Sequence, residues 1–267
     1  MAVNVLGQVT CSDEDRALFD EKIRQLKVLA AHSYGDTVVN VGRSFLKTPY
    51  VEKTLEIGDT ETLVINLQGL DCTTFVENVL AFSNLLAQSK KDFDSFAEIL
   101  KTIRYRNGEL QGYTSRLHYF TEWIRNNEQK GLVKDISHQL GGSELIKPID
   151  FMGTHRNLYP FLADEKNYQQ LLATEQELAK ETLCVISQDQ IESKEHLIQP
   201  GDIIALATSL KGLDVTHTGI AIREGNARIH LLHASSSGEV EITTFPLVDY
   251  LKGIKYNTGI IVARPTF

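Results

Sequence analysis

The apolar pattern of this chain changes period once, and that change restricts the folds open to it. In the first 130 residues the apolar positions recur three and four apart, the spacing of helices with one buried face. Ser12 and Asp15 are spaced as a capping box, and Leu18, Phe19, Ile23, Leu26 and Ala30 follow at helical intervals. A second helix is predicted over 36–46, ending before Thr48-Pro49, since a residue preceding proline is disfavoured in the α conformation. A short strand is expected over 61–67 and a helix over 73–87, with Phe75, Val79, Phe82 and Leu86 on one face. Further helices are expected over 93–105, 117–128 and 164–180.

The last third reads differently. Pro200-Gly201 signals a turn, and five short segments rich in β-branched residues follow, over 202–206, 218–222, 228–234, 240–244 and 259–263. Glu224-Gly225-Asn226 is placed to turn a hairpin between the second and third of them. Helices first and strands after predict an α+β fold, with N-terminal helices packed on a C-terminal antiparallel sheet of about five strands. The 267 residues are read as one domain: a mainly helical part over 12–130, an insertion over the core at 131–191, and a sheet part over 192–267.

Composition removes several function classes. Hydrophobic residues at 42% and charged residues at 23% suit a packed globular chain rather than a disordered one. The net charge is −8 and Lys90-Lys91 and similar pairs are isolated, so no nucleic-acid partner is expected. No apolar run reaches the ~18 residues of a membrane span, so no integral membrane segment is expected. Met1–Gly7 is too short and lacks the basic start of a signal peptide, and Cys11 lacks the small residue that precedes a lipidated cysteine. The three cysteines, Cys11, Cys72 and Cys184, form no CxxC pair, so no zinc ribbon, and no other cofactor, is expected.

Cys72 has the most informative setting. Gly69-Leu70-Asp71-Cys72-Thr73 leads from a turn into an amphipathic helix, placing a thiol in the first helical turn. A helix start favours thiolate over thiol, and its free backbone N–H groups can stabilise an oxyanion. Downstream, Thr216-His217-Thr218-Gly219 opens one strand and His230-Leu231-Leu232-His233-Ala234-Ser235 forms the next. A hairpin between them brings His217 and His233 to the same end of adjacent strands, with His230 facing the other side of the sheet. An imidazole can take a thiol proton at neutral pH, and a second polar group can fix its tautomer. A lone cysteine at a helix start more often packs than reacts; the combination of Cys72, His217 and His233 carries the catalytic reading.

These residues resemble the NlpC-type branch of papain-like cell-wall peptidases, in which Asp-Cys-Ser opens a helix, a Ser-His-Val-Gly strand supplies the base and a His-Ala-Ser strand supplies the third member. Lys47-Thr48-Pro49-Tyr50 resembles that branch's Gly-x-Pro-Tyr segment, with Lys47 in place of glycine, Thr73 in place of serine, and no Trp-Gly-Gly after Tyr50. Those departures point away from a γ-D-glutamyl endopeptidase. The runs 66–78, 113–119, 151–155 and 201–221 resemble the N-acetylmuramoyl-L-alanine amidase-like family, a larger NlpC-type variant with added helices.

That resemblance implies a cysteine amidase cutting the amide between N-acetylmuramic acid and the stem-peptide L-alanine, with peptidoglycan fragments as partners and a location in the cell envelope after export or a role in recycling. It implies Cys72 as nucleophile, His217 as base and His233 as the residue orienting His217. Arg116 is expected to hold a muropeptide carboxylate, and Tyr50 and Tyr119 to stack on sugar or peptide. Asp71 is expected to anchor an amine or cap its helix, Asp214 to support His217, and His118 and His155 to line the site. Three other readings stay open: an endopeptidase cutting the γ-D-glutamyl bond, a related fold acting on a lipid ester, and a non-catalytic cell-wall-binding module or a zinc site built from one Cys and two His.

Overall fold

Ser12 starts the first helix as its spacing to Asp15 predicts. Its hydroxyl accepts the Asp15 N–H at 3.1 Å while the Asp15 carboxylate accepts the Ser12 N–H at 3.0 Å. The structure, a computed structural model, describes residues 9–29, 31–225 and 227–266; the readings of Met1–Gly7, Ala30 and Asn226 lie outside the described residues. The N-terminal part runs β1 (Val9–Thr10), α1 (Asp13–Leu26), α2 (Tyr34–Arg43), β2 (Leu63–Val64), α3 (Cys72–Ala87), α4 (Phe93–Arg104) and α5 (Phe120–Gln129). These helices agree with the predicted ones to within a few residues. Among the described residues no helix is long and apolar enough to cross a membrane.

Helix α3 organises this half. Every residue from Thr74 to Leu85 is buried, so α3 is enclosed on all sides rather than amphipathic as its sequence suggested. Phe82 meets Phe96 at 4.5 Å and Phe45 at 5.9 Å between ring centroids. Burial leaves Glu77 of α3 dependent on a partner, and Arg104 supplies it at 2.6 Å with both side chains 2% exposed. Losing either member of such a pair strands a charge in the core, at a cost of about 3–5 kcal/mol.

The middle of the chain adds β3 (Val133–Asp135), β4 (Ser143–Ile146), α6 (Phe151–Thr154), α7 (Glu165–Leu178) and β5 (Thr182–Ser187). The last third contributes α8 (Ile191–Lys194), β6 (Ile203–Thr208), β7 (Val215–Arg223), β8 (Ile229–Ala234), β9 (Val240–Ile242), α9 (Leu247–Lys252) and β10 (Asn257–Pro265). All five predicted strands of that part are present, but the sheet has eight. Its order is β4-β5-β10-β6-β7-β8-β9, with β3 also on β10, and every pairing is antiparallel. The three extra strands come from 131–191, which therefore extends the sheet beyond β10. The same stretch also places α6 and α7 over a small separate core around Tyr113, Tyr119, Met152 and Leu171.

Alternation along the strands buries both faces of the sheet. Ala205, Ile220 and Leu232 face the helical layer of α1–α4, whereas Leu206, Ala221 and Leu231 face α9 and the chain around Ile191 and Ile198. This is why β6 and β8 are buried along their whole length.

Candidate active site

The start of α3 is built around a reciprocal cap. Asp71 accepts the Thr74 N–H at 2.8 Å, and the Thr74 hydroxyl accepts the Asp71 N–H at 2.9 Å. With the Thr74 N–H used by the cap, and the Phe75 N–H by the Asp71 carbonyl at 2.9 Å, the N–H groups of Cys72 and Thr73 are the first-turn donors with no acceptor inside the helix. Cys72, the first residue of α3, thus carries its thiol beside two backbone donors.

The thiol packs against β7. The Thr218 hydroxyl donates to the Cys72 carbonyl at 3.0 Å, and hydrogen bonding from the Thr218 backbone and from Thr73 favours the thiolate form of the sulfur. Burial, with the neighbouring Asp71 charge second, outweighs these bonds and pushes the thiol up to about 11. Desolvation of the charged sulfur exceeds the stabilisation offered by these hydrogen bonds, so the thiol depends on a base for its activation.

The β7–β8 register sets the two histidines. Ile220 pairs with Leu232, so Gly219 lies opposite His233 and His217 is its diagonal neighbour on the same face. His217 Nε2 and His233 Nδ1 are 2.6 Å apart, with the rings near perpendicular at 86°. Gly219 makes this approach feasible, because a Cβ there would stand 2.9 Å from His233 Cβ and 2.8 Å from the Leu232 carbonyl oxygen. Burial holds His217 down to about 4, and burial plus the His217 charge hold His233 down to about 3. Both rings are therefore neutral at pH 7, and exactly one of the two facing nitrogens carries the proton. The bond to His233 leaves Nδ1 as the open ring nitrogen of His217.

Tyr50 and Tyr250 flank the thiol. The Tyr50 phenol is pushed up to about 12 by burial first and then by the Cys72 and Asp71 charges, which places it beside both. Tyr250, on α9, sets its ring 5.6 Å from that of His233 and feels the Glu241 and Cys72 charges after burial. Glu241 faces His233 across the β8–β9 ladder. Sequence reasoning missed Tyr250, Glu241 and Thr218. Thr218 adjoins His217 in the chain and was within reach, whereas Tyr250 arrives only through the packing of α9 and carries no local signal.

Of the remaining predicted contacts, Arg116, Tyr119, His118, Asp214 and His155 have other partners than the expected ones. Arg116 is buried, bound to Glu56 at 2.5 Å and 3.3 Å from Glu61, so its guanidinium is already committed. Tyr119 is buried in the small core around α6 and α7, where its hydroxyl donates to Glu175 at 2.7 Å. His118 bonds the Tyr113 carbonyl at 2.9 Å through Nε2 and is held well below the usual histidine range by burial and then by Arg116. Asp214 does not support His217: one oxygen accepts the Thr121 N–H and hydroxyl at 2.8 and 2.7 Å, the other the Val215 N–H at 2.8 Å. His155 stacks on Phe151 at 4.1 Å on the exposed side of α6. His230, as expected, lies on the opposite face from His233, bonded to the Thr243 carbonyl at 2.8 Å. Asp71 serves as the cap described above.

The profile of a family described as N-acetylmuramoyl-L-alanine amidase-like matches residues 40–260. The crystal structure of an N-acetylmuramoyl-L-alanine amidase from Bacteroides uniformis superposes with a TM-score of 0.83 at 37% identity, covering 88% of this chain and 99% of that one. A Bacteroides fragilis structure carrying a provisional xylanase name is 41% identical with a TM-score of 0.80, covering 85% of this chain and 99% of that one. A Legionella pneumophila protein at 22% identity and a TM-score of 0.68, over 95% of this chain and 94% of that one, shares the fold. No curated protein is similar enough to the chain to match it.

Proposed function

The chain belongs to the N-acetylmuramoyl-L-alanine amidase-like family, and from that premise we propose that it is a peptidoglycan amidase of the papain-like NlpC type, cutting the amide between the lactyl group of N-acetylmuramic acid and L-alanine with Cys72 as nucleophile. The observation that carries the mechanism is the His217–His233 contact of 2.6 Å on the strand that touches the Cys72 end of α3. A nucleophile at a helix start, laid against an antiparallel sheet bearing the base and its orienting partner, is the arrangement a cysteine hydrolase needs.

In this reading His217 donates its Nε2–H to His233 Nδ1, which fixes the tautomer with a lone pair on Nδ1 for the thiol proton. Because the proton rests on sulfur and both imidazoles are neutral, proton transfer accompanies attack on the lactyl carbonyl instead of preceding it. Attraction between the nascent thiolate and imidazolium offsets part of the cost. The carbonyl oxygen, as it gains charge, meets the Cys72 and Thr73 N–H groups. His217 then passes its proton to the departing L-alanine nitrogen, leaving a thioester on Cys72. Water, deprotonated by His217, attacks the thioester carbonyl; the lactyl carboxylate leaves and Cys72 regains its proton. A substrate of the cell wall implies work in the cell envelope or on fragments released from it.

Mass spectrometry of defined muropeptides incubated with the wild type and with Cys72→Ala tests this reading. Wild type alone should release free stem peptide and the muramic sugar. A cut inside the peptide would retain the cysteine mechanism and move the protein to the endopeptidases, and cleavage surviving in Cys72→Ala would overturn the nucleophile.

A further inference from the structure

A cavity of about 530 Å³ opens between the loop carrying Glu56 to Glu61 and the segment that leads into α7, and Cys72, His217, His233 and Tyr50 are not among its lining residues. Its floor is a charge imbalance. Glu56 Oε1 lies 2.5 Å from the Arg116 guanidinium. Glu61 Oε1 lies 3.3 Å from the same group and accepts the Tyr105 hydroxyl at 2.8 Å. One cation thus faces two carboxylates.

The second oxygen of each carboxylate, Oε2 of Glu56 and of Glu61, is buried with no hydrogen-bond partner among the described residues, and so are the Tyr113 hydroxyl and the Arg116 Nε–H, the last 3.3 Å from Glu61 Oε1. The Glu61 side chain is 1% exposed and Tyr113 is 2% exposed, and Glu56, Glu61 and Tyr113 all line the cavity. Asp59 and Asp164 at the exposed rim add two further carboxylates against a single Lys166.

We propose that this cavity binds a primary alkylammonium group. An ammonium brings one positive charge and three N–H donors, which matches one uncompensated negative charge and three buried oxygens without a partner. A proton on Glu61, which burial favours, is the competing way to cancel the excess charge, and Glu61→Gln, which mimics that neutral state, separates the two. The ring of Tyr113 lies 5.2 Å from that of Phe161, giving the alkyl stem an aromatic wall. A carboxylate or phosphate ligand is disfavoured by the acidic lining. The site stands apart from the amidase reading and does not depend on it.

The test is an NMR titration of the wild-type protein with Nα-acetyl-L-lysine amide, with its Nε-acetylated counterpart and with 1,5-diaminopentane. Saturable shifts at the Gly58, Gly112 and Asn167 amides are expected for the two amines and not for the acetylated probe. Tighter binding of the lysine amide would assign a peptide side chain, and tighter binding of the diamine a free amine; either upholds the site. Glu61→Gln should weaken binding about tenfold and Tyr113→Phe about threefold, as expected for losing a charged and a neutral partner. Glu56→Gln, at a half-buried position, serves as the charge-removing variant if Glu61→Gln does not fold. Equal binding of the acetylated probe, unchanged affinity in the charge-removing and Tyr113→Phe variants, or no saturable shift at millimolar amine would overturn the proposal. None of these probes contains the muramoyl amide, so this outcome and that of the muropeptide assay are separable.

Discussion

The chemistry of single residues leads to a pH profile with a definite shape. His217 must be neutral to accept the thiol proton, and burial holds it down to about 4. The thiol, pushed up to about 11, stays protonated through neutral pH. The pair therefore keeps one composition across the physiological range, and kcat/KM for muropeptide hydrolysis should be flat around neutrality. Activity should fall on the acid side only as pH approaches about 4, rather than near the 6.5 of an ordinary histidine. A rate profile with its acid limb near 6.5 would show that His217 is more solvated than its surroundings indicate. The orienting role of His233 can be separated from bulk packing by its substitution. His233→Asn keeps an acceptor for the His217 Nε2–H and should retain more activity than His233→Ala, which we expect to lose about 10²–10⁴ in kcat, the range seen when acid–base positioning is removed. Equal losses in the two variants would count against a tautomer-fixing contact.

At the scale of elements, the approach of β7 to β8 depends on an absent side chain. Gly219→Ala would put a Cβ within 2.9 Å of His233 Cβ and 2.8 Å of the Leu232 carbonyl, both on the neighbouring strand and neither at the end of a flexible side chain. The ladder must open there, so the variant should lose about 1–3 kcal/mol of stability and, at a temperature where it is folded, a larger share of kcat than of substrate binding. Denaturant unfolding together with kinetics reads both; a wild-type kcat in the folded variant would show that the histidine pair tolerates a wider ladder. This dependence explains what could be read beforehand. The His-Thr-Gly triplet and the alternation of β7 and β8 suffice to place His217 and His233 on one face, because strand period is local. The helix that presents Cys72 is likewise announced by the Asp71 cap and the apolar run behind it. Arg116 shows the limit of such reading: an arginine at the end of a turn looks exposed, and only the path of 56–61 brings Glu56 and Glu61 over it. Tyr250 and the sheet-forming role of 131–191 were hidden for the same reason, since both arise from contacts between segments far apart in sequence.

Across the whole molecule, burial of titratable groups links the site to stability. His217 and His233 bind protons less readily in the folded chain than in the unfolded one, whose histidines titrate near 6.5. Below that pH the unfolded state takes up more protons, so stability contributed by the neutral pair is intact above 6.5 and is lost as pH falls toward about 4 and 3. Glu61, Glu77, Glu122, Glu175 and Asp214 act in the opposite sense: burial raises each carboxyl, and acidification favours the folded state through them. The pH dependence of the wild type alone is therefore a sum of opposed contributions. A His217→Asn/His233→Asn double variant isolates the histidines, since the carboxyls cancel in the difference between the two proteins. Going from pH 7.5 to pH 5, the wild type should lose more stability than the double variant, by about 4 kcal/mol, since each of the two histidines binds a proton in the unfolded chain and neither does in the folded one. Urea unfolding at the two pH values measures it. Parallel losses in both proteins would mean that the histidines are hydrated in the folded state, and would remove the desolvation on which the neutral resting state of the site depends.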